Sequence, residues 1–163
     1  MPTPIEIALL DYDCGTYRDV NFLAPTWDGI EQLIAELEGT FGKRSGYDGE
    51  GRSLLEPHWK EVKEVVVQTG YVQLFYSNAS GILKKLQIFV AMENDGAAFI
   101  ELSFFPEDVA QVSNLEENFI EWIGAAMTTL QASQYFCRYE NVSWKLGDIS
   151  SGSGVFLTSA KHQ

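Results

Sequence analysis

Asp11 and Asp13 are the residues in this chain best placed to do chemistry, two carboxylates one residue apart at the end of the apolar run Ile7-Ala-Leu-Leu. Such a pair at a strand end can hold magnesium or supply a nucleophile. Elsewhere the chemistry thins out. His58 lies between Pro57 and Trp59, His162 is next to last, and neither has a serine or cysteine nucleophile in a recognisable setting. Ser151-Gly-Ser-Gly154 lacks the first glycine of a nucleophile elbow and reads as a loop. Gly46-Tyr-Asp-Gly49-Glu-Gly51 shares only its glycines with a phosphate loop, because no strand precedes it and no helix follows. Cys14 and Cys137 are too few for a disulfide framework, match no metal spacing, and read as buried thiols. No catalytic group, cofactor or metal ligand set is expected from these patterns.

The elements that must position these residues are easier to read. From Asn114 to Ala132, Leu115, Phe119, Trp122, Ile123, Ala126, Met127 and Leu130 recur at helical spacing and predict an amphipathic helix with Trp122 in its core stripe. Ser113 or Asn114 would cap it, with Glu116 and Glu117 in the first turn. Thr26 caps a second stripe, Ile30, Leu33, Ile34 and Leu37. The alternation Ile5, Ile7, Leu9 and the run Val20–Leu23 predict an opening hairpin turned at 13–16. The stretch 42–51 reads as a mobile loop, and Ser53–Lys60 as irregular. Val65–Gln68, Tyr71–Tyr76, Leu83–Met92, Ala97–Phe105, Tyr135–Glu140 and Val155–Thr158 read as strands, with Glu93-Asn-Asp-Gly96 a hairpin turn. Residues 1–163 therefore form a single α+β domain, a twisted, mainly antiparallel sheet of about six strands with two helices on one face. Phe99, Phe105 and other aromatics on the opposite face would be partly exposed, a mark of partner surfaces.

Charge is the unusual property of the composition, with 23 acids against 11 bases and a net of −12. Residues 1–42 hold eight acids against Arg18 alone, and the excess reappears after residue 92. Direct nucleic-acid binding is disfavoured, because phosphate recognition needs a basic surface. A basic protein partner is favoured, since opposite fields speed encounter. No apolar run approaches a membrane span and no leader segment is evident, so a soluble cytoplasmic protein is expected.

Two resemblances bear on function. The apolar run ending in Asp11-Tyr-Asp13 resembles the opening of haloacid-dehalogenase phosphatases, which would imply a magnesium-dependent hydrolase using Asp11 and Asp13. That family's parallel βα sheet conflicts with the hairpins predicted here. The stretch RYENVSWKLGD, Arg138 to Asp148, ends a small acidic chain of hairpin, acidic helix, meander and second helix. In that pattern the chain resembles bacterial immunity proteins of polymorphic-toxin, contact-dependent and type VI secretion systems. The resemblance implies a non-enzymatic antitoxin that binds one cognate toxin, often a basic nuclease, and blocks its active site or substrate path. An acidic phage-type inhibitor or another interaction module, including a homodimer, is the alternative.

On that reading the partner would meet Asp11, Asp13 and Asp19 in the opening segment and Glu31, Glu36 and Glu38 on the first predicted helix. These acids would steer association. Tyr139, Glu140 and Trp144 would form the anchoring corner, where Arg138 can fork onto a nearby carboxylate.

Overall fold

The computed structural model describes residues 1–11, 17–54, 59–78, 81–140, 146–150 and 153–159. Its elements run α1 (Pro4–Leu10), β1 (Arg18–Leu23), α2 (Trp27–Thr40), β2 (Lys43–Asp48), β3 (Ser53–Leu54), α3 (Trp59–Thr69), β4 (Tyr71–Ser77), β5 (Lys85–Met92), β6 (Ala98–Phe104), α4 (Leu115–Thr129), β7 (Gln134–Tyr139) and β8 (Val155–Thr158). The strands form one open sheet in the order β3-β2-β4-β5-β6-β1-β7-β8, and every described pairing is antiparallel. The α+β class and the β4-β5-β6 meander agree with the sequence. The described residues hold eight strands rather than about six, and four α-helices rather than two.

One sheet face makes the core. Val72, Leu74 and Tyr76 of β4, Leu86, Ile88 and Val90 of β5, and Ile100, Leu102 and Phe104 of β6 alternate with half-exposed neighbours. The buried set joins the helical residues Leu9, Ile30, Leu33, Ile34, Val62, Val66, Phe119 and Ile123 in a single hydrophobic cluster. A period of two on each strand thus puts one face against the helices and turns the other away from them.

α2 begins as its sequence predicts, with Thr26 Oγ1 accepting from the Gly29 amide at 2.9 Å. α4 starts differently. Asn114 is left-handed at φ 59° with no side-chain capping bond, while Glu116 and Glu117 still complement the helix dipole. Gly29 is where α2 meets the end of α4, and an added Cβ would lie 2.6 Å from Leu130 Cα, against backbone that cannot step aside. At Gly39 the same methyl would meet nothing within 4 Å. Gly29→Ala is therefore expected to lose about 2 kcal/mol through overpacking, whereas Gly39→Ala gains about 0.5–1 kcal/mol from helix propensity. Urea unfolding of the two variants checks the pair; equal effects would mean the α2–α4 contact is looser than drawn.

Four expectations are corrected. Residues 4–10 form a helix, because Thr3 and Glu6 complete a capping box around Pro4 and bury Ala8 and Leu9 while Ile7 stays exposed. The opening hairpin is consequently absent, and β1 lies between β6 and β7. Residues 59–69 form α3 despite their β-branched run, since Val62 and Val66 share a helical face that the sheet buries. The stretch read as a loop at 42–51 contains β2, where Gly46 is needed because a Cβ would press on Leu74 and the Gln73 carbonyl. Cys137 is buried as expected, and burial pushes its thiol pKa up. No described helix is long and apolar enough to cross a membrane.

Candidate functional site

The face of the sheet turned from the helices carries the most concentrated polar chemistry in the molecule. Register brings it together. Asp19 of β1 stands opposite Ser103 of β6 and Arg138 of β7, and Asn21 stands opposite Glu101. On the next strands Gln87 faces Ser103, and Phe89 lies between Glu101 and Gln73. Ser103 Oγ donates to Asp19 Oδ1 at 2.8 Å, and Asn21 Nδ2 donates to Glu101 Oε2 at 2.7 Å. Arg138 Nη2 lies 3.4 Å from Asp19 and 3.8 Å from Glu101, while its Nε donates to Asn21 Oδ1 at 3.2 Å. Arg138 thus meets two carboxylates through Nη2 and an amide through Nε, in place of the fork onto one carboxylate that the sequence predicts.

A second chain of bonds borders the first. Gln73 donates to Gln87, and Gln87 donates to the Tyr17 hydroxyl at 2.8 Å. Tyr17 and Glu140 are tied through backbone and carboxylate at 3.1 Å. Asp19 and Glu101 therefore share one guanidinium, that of Arg138, and Glu140 lines the same hollow. Desolvation raises the Asp19 pKa against the opposing pull of Ser103 and Arg138. Glu101 is raised by desolvation and then by the negative charge of Asp19. Arg18 does not share this load. It lies fully buried on the other face, donating to the Ala8 carbonyl at 2.6 Å and the Asp11 carbonyl at 3.0 Å, where it caps the end of α1.

Aromatic rings surround the polar patch. Tyr17 stacks on Phe105 with centroids 3.9 Å apart, Tyr71 leans on Phe89 at 5.2 Å, Phe99 meets Phe89 edge-on, and Tyr47 meets Phe75. Tyr47 and Tyr71 are 48% and 37% exposed, so the patch ends in accessible rings. A hollow of about 190 Å³ lies over Asp19, Glu101 and Glu140, and one of about 370 Å³ lies over Phe75, Lys85 and Phe105. Tyr17, Gln87 and Ser103 line both. The arrangement offers carboxylates flanked by ring faces, which suits a cationic side chain. Among the described residues no three His, Cys, Asp or Glu converge as a metal site requires.

The residues singled out in the sequence are dispersed. Asp19 and Glu140 lie in this patch, though Asp19 is 5% exposed and is no rim charge. Asp11 ends α1, so the strand-end Asp-x-Asp geometry of a phosphatase is not formed, and the antiparallel sheet departs from that family's parallel one. Glu31, Glu36 and Glu38 belong to α2 on the helix side, with Glu38 paired to Arg44. Tyr139 faces the helix side beneath Arg18, whose guanidinium carbon sits 4.4 Å from the ring centroid. Asp13 and Trp144, like Cys14, His58 and His162, lie outside the described residues. Sequence reading missed Asn21, Gln87, Glu101 and Ser103 as site residues; strict alternation in Ala98–Phe104 was the signal that placed two of them beside Phe99 and Phe105.

No family model matches the chain, and no curated protein matches its sequence. In fold the chain is similar to a chain of the 1.75 Å crystal structure of the toxic C-terminal tip of CdiA from Pseudomonas aeruginosa in complex with its immune protein. The match has a TM-score of 0.59 and covers 88% of this chain and 94% of that one, at 12% identity. At that identity the likeness is one of fold.

Proposed function

We propose that this chain is an immunity-type inhibitor that acts without catalysis in the bacterial cytoplasm, binding one cognate protein toxin across the open sheet face. The observation that carries the proposal is that face itself: accessible tyrosines and half-buried phenylalanines around three carboxylates, two of which share one arginine, with no described helix over them. Accessible aromatic area of this kind beside polar groups marks a protein interface, and tyrosine and arginine dominate interface energetics. The likeness in fold to a chain of a toxin–immune protein complex supports the same reading. The preferred partner is basic, as a nuclease would be, because a net charge of −12 accelerates such an encounter. Asp11, Asp13, Glu31, Glu36 and Glu38 would add to that field and Trp144 would serve as an aromatic anchor, whereas Tyr139 faces the helix side and stands away from this contact. A toxin seated here would have its active site or substrate path covered.

Co-expression with the toxin domain encoded by the adjacent reading frame tests the proposal. Rescue of growth and a one-to-one complex are expected; a chain that neither protects nor binds overturns it. Glu101→Gln gives a sharper signature. Its carboxyl pKa is raised in the fold, so its ionised form costs stability once the pH exceeds the range of an unfolded glutamate. The neutral amide should raise Tm at pH 7 while weakening the complex by about 2 kcal/mol, roughly thirty-fold in Kd. Calorimetry on the free and bound protein separates the two effects, and a variant that is more stable and binds equally well would move the contact elsewhere.

A further inference from the structure

The helix side of the molecule carries a surface of different chemistry. Trp122 of α4 is half-exposed and stands between two hollows, one of about 520 Å³ bordered by Ile82 and Val112, the other of about 200 Å³ bordered by Leu37 and Phe41. Its indole N–H finds no acceptor among the described residues. α2 and α4 together contain seven acids and no lysine or arginine, and Glu36 and Glu121 stand exposed on the rims of the two hollows.

We infer that this groove docks a cationic amphipathic helix of a second protein partner, with apolar residues on either side of Trp122 and lysine or arginine against Glu36 and Glu121. Charge selects the partner's sign, since the groove walls offer carboxylates and no competing cation. It also disfavours a second copy of this chain, which would bring the same acids against themselves at a net charge of −12. Conformation follows from the groove walls. Helix side chains line much of it and no strand edge is presented, so an extended peptide would leave its amides and carbonyls unpaired, whereas a helix satisfies its own. A tryptophan with an apolar body and a free donor is the expected anchor of such a contact. The groove lies on the side of the sheet opposite Asp19 and Glu101, so the inference stands apart from the proposed function and both surfaces can be filled together.

The probe is a synthetic Leu/Lys helix of about 18 residues with one apolar face, compared with a scrambled peptide of identical composition and a Leu/Glu counterpart. Binding is read from the Trp122 indole NMR signal and by calorimetry on the intact chain. The Leu/Lys helix is expected to shift that signal and to bind at least about tenfold tighter than the scrambled peptide. Raising salt should weaken it. Ala125→Lys, at an exposed position lining both hollows, should lower its affinity about tenfold without touching the core. An unmoved Trp122 signal, equal binding by the scrambled or acidic peptide, or undiminished binding by Ala125→Lys would overturn the inference. So would self-association at this face, seen as a concentration-dependent Trp122 signal without peptide.

Discussion

Arg138→Gln is expected to cost the folded chain about 3 kcal/mol at pH 7, because it strands one buried and one partly buried carboxylate that share this cation. The Asp19 and Glu101 side chains are 7% and 23% exposed, so water replaces the guanidinium poorly at Asp19 and only in part at Glu101. The loss should depend on pH in a defined direction. Both carboxyls already have raised pKa values, from desolvation above all, and removing the positive charge raises them further. A carboxyl with a raised folded-state pKa contributes stability below its unfolded value and loses it as pH climbs through the folded one. The deficit of the variant should therefore shrink on acidification toward about pH 4, where the unfolded carboxylates begin to protonate. Urea titrations at the two pH values decide the matter: a deficit independent of pH would mean that Arg138 acts through packing alone.

Phe119→Ala is the second large effect expected, a loss of about 3–5 kcal/mol. The ring is fully buried and meets Phe104 of the sheet edge-on, with centroids 5.7 Å apart, so its removal opens a cavity where helix meets sheet. The sequence stripe gives Trp122 the same standing, yet that residue borders two hollows. Its replacement by alanine should cost only about 1–2 kcal/mol, the transfer free energy of a half-buried ring. Unfolding midpoints for the two variants rank them, and a reversed order would invalidate the placement of α4 on the sheet.

What could be read from the sequence was local. Thr26 with the stripe Ile30-Leu33-Ile34-Leu37, the alternation in Ala98–Phe104 and the turn at Glu93–Gly96 each carry their structure within a dozen residues, and each agrees with the fold. Local signals also misled. Ile5, Ile7 and Leu9 alternate like a strand, but the run opens inside Thr3-Pro-Ile-Glu6, whose capping box and first-turn proline favour a helix. Val65, Val66 and Val67 favour a strand intrinsically, and packing overrides that preference because Val62 and Val66 need one face. The site was legible only in fragments. Arg138 reaches Asn21 across 117 positions of sequence and Asn21 reaches Glu101 across 80, so register alone unites them. The acids of α2 stood out by number, yet the helix carries them to the side opposite Asp19.

The place of β1 in the sheet has a consequence for the birth of the protein. This strand is made well before β7, for which one of its edges is reserved more than a hundred residues later. At about 5–20 residues per second a nascent chain spends several seconds with that edge unpaired and with Asp19 and Glu101 awaiting Arg138. Pairings so distant in sequence also form slowly once the chain is free. Messages cut short before β7 would yield chains in which Asp19 and Glu101 never meet Arg138, so the patch assembles only after β7 has been made.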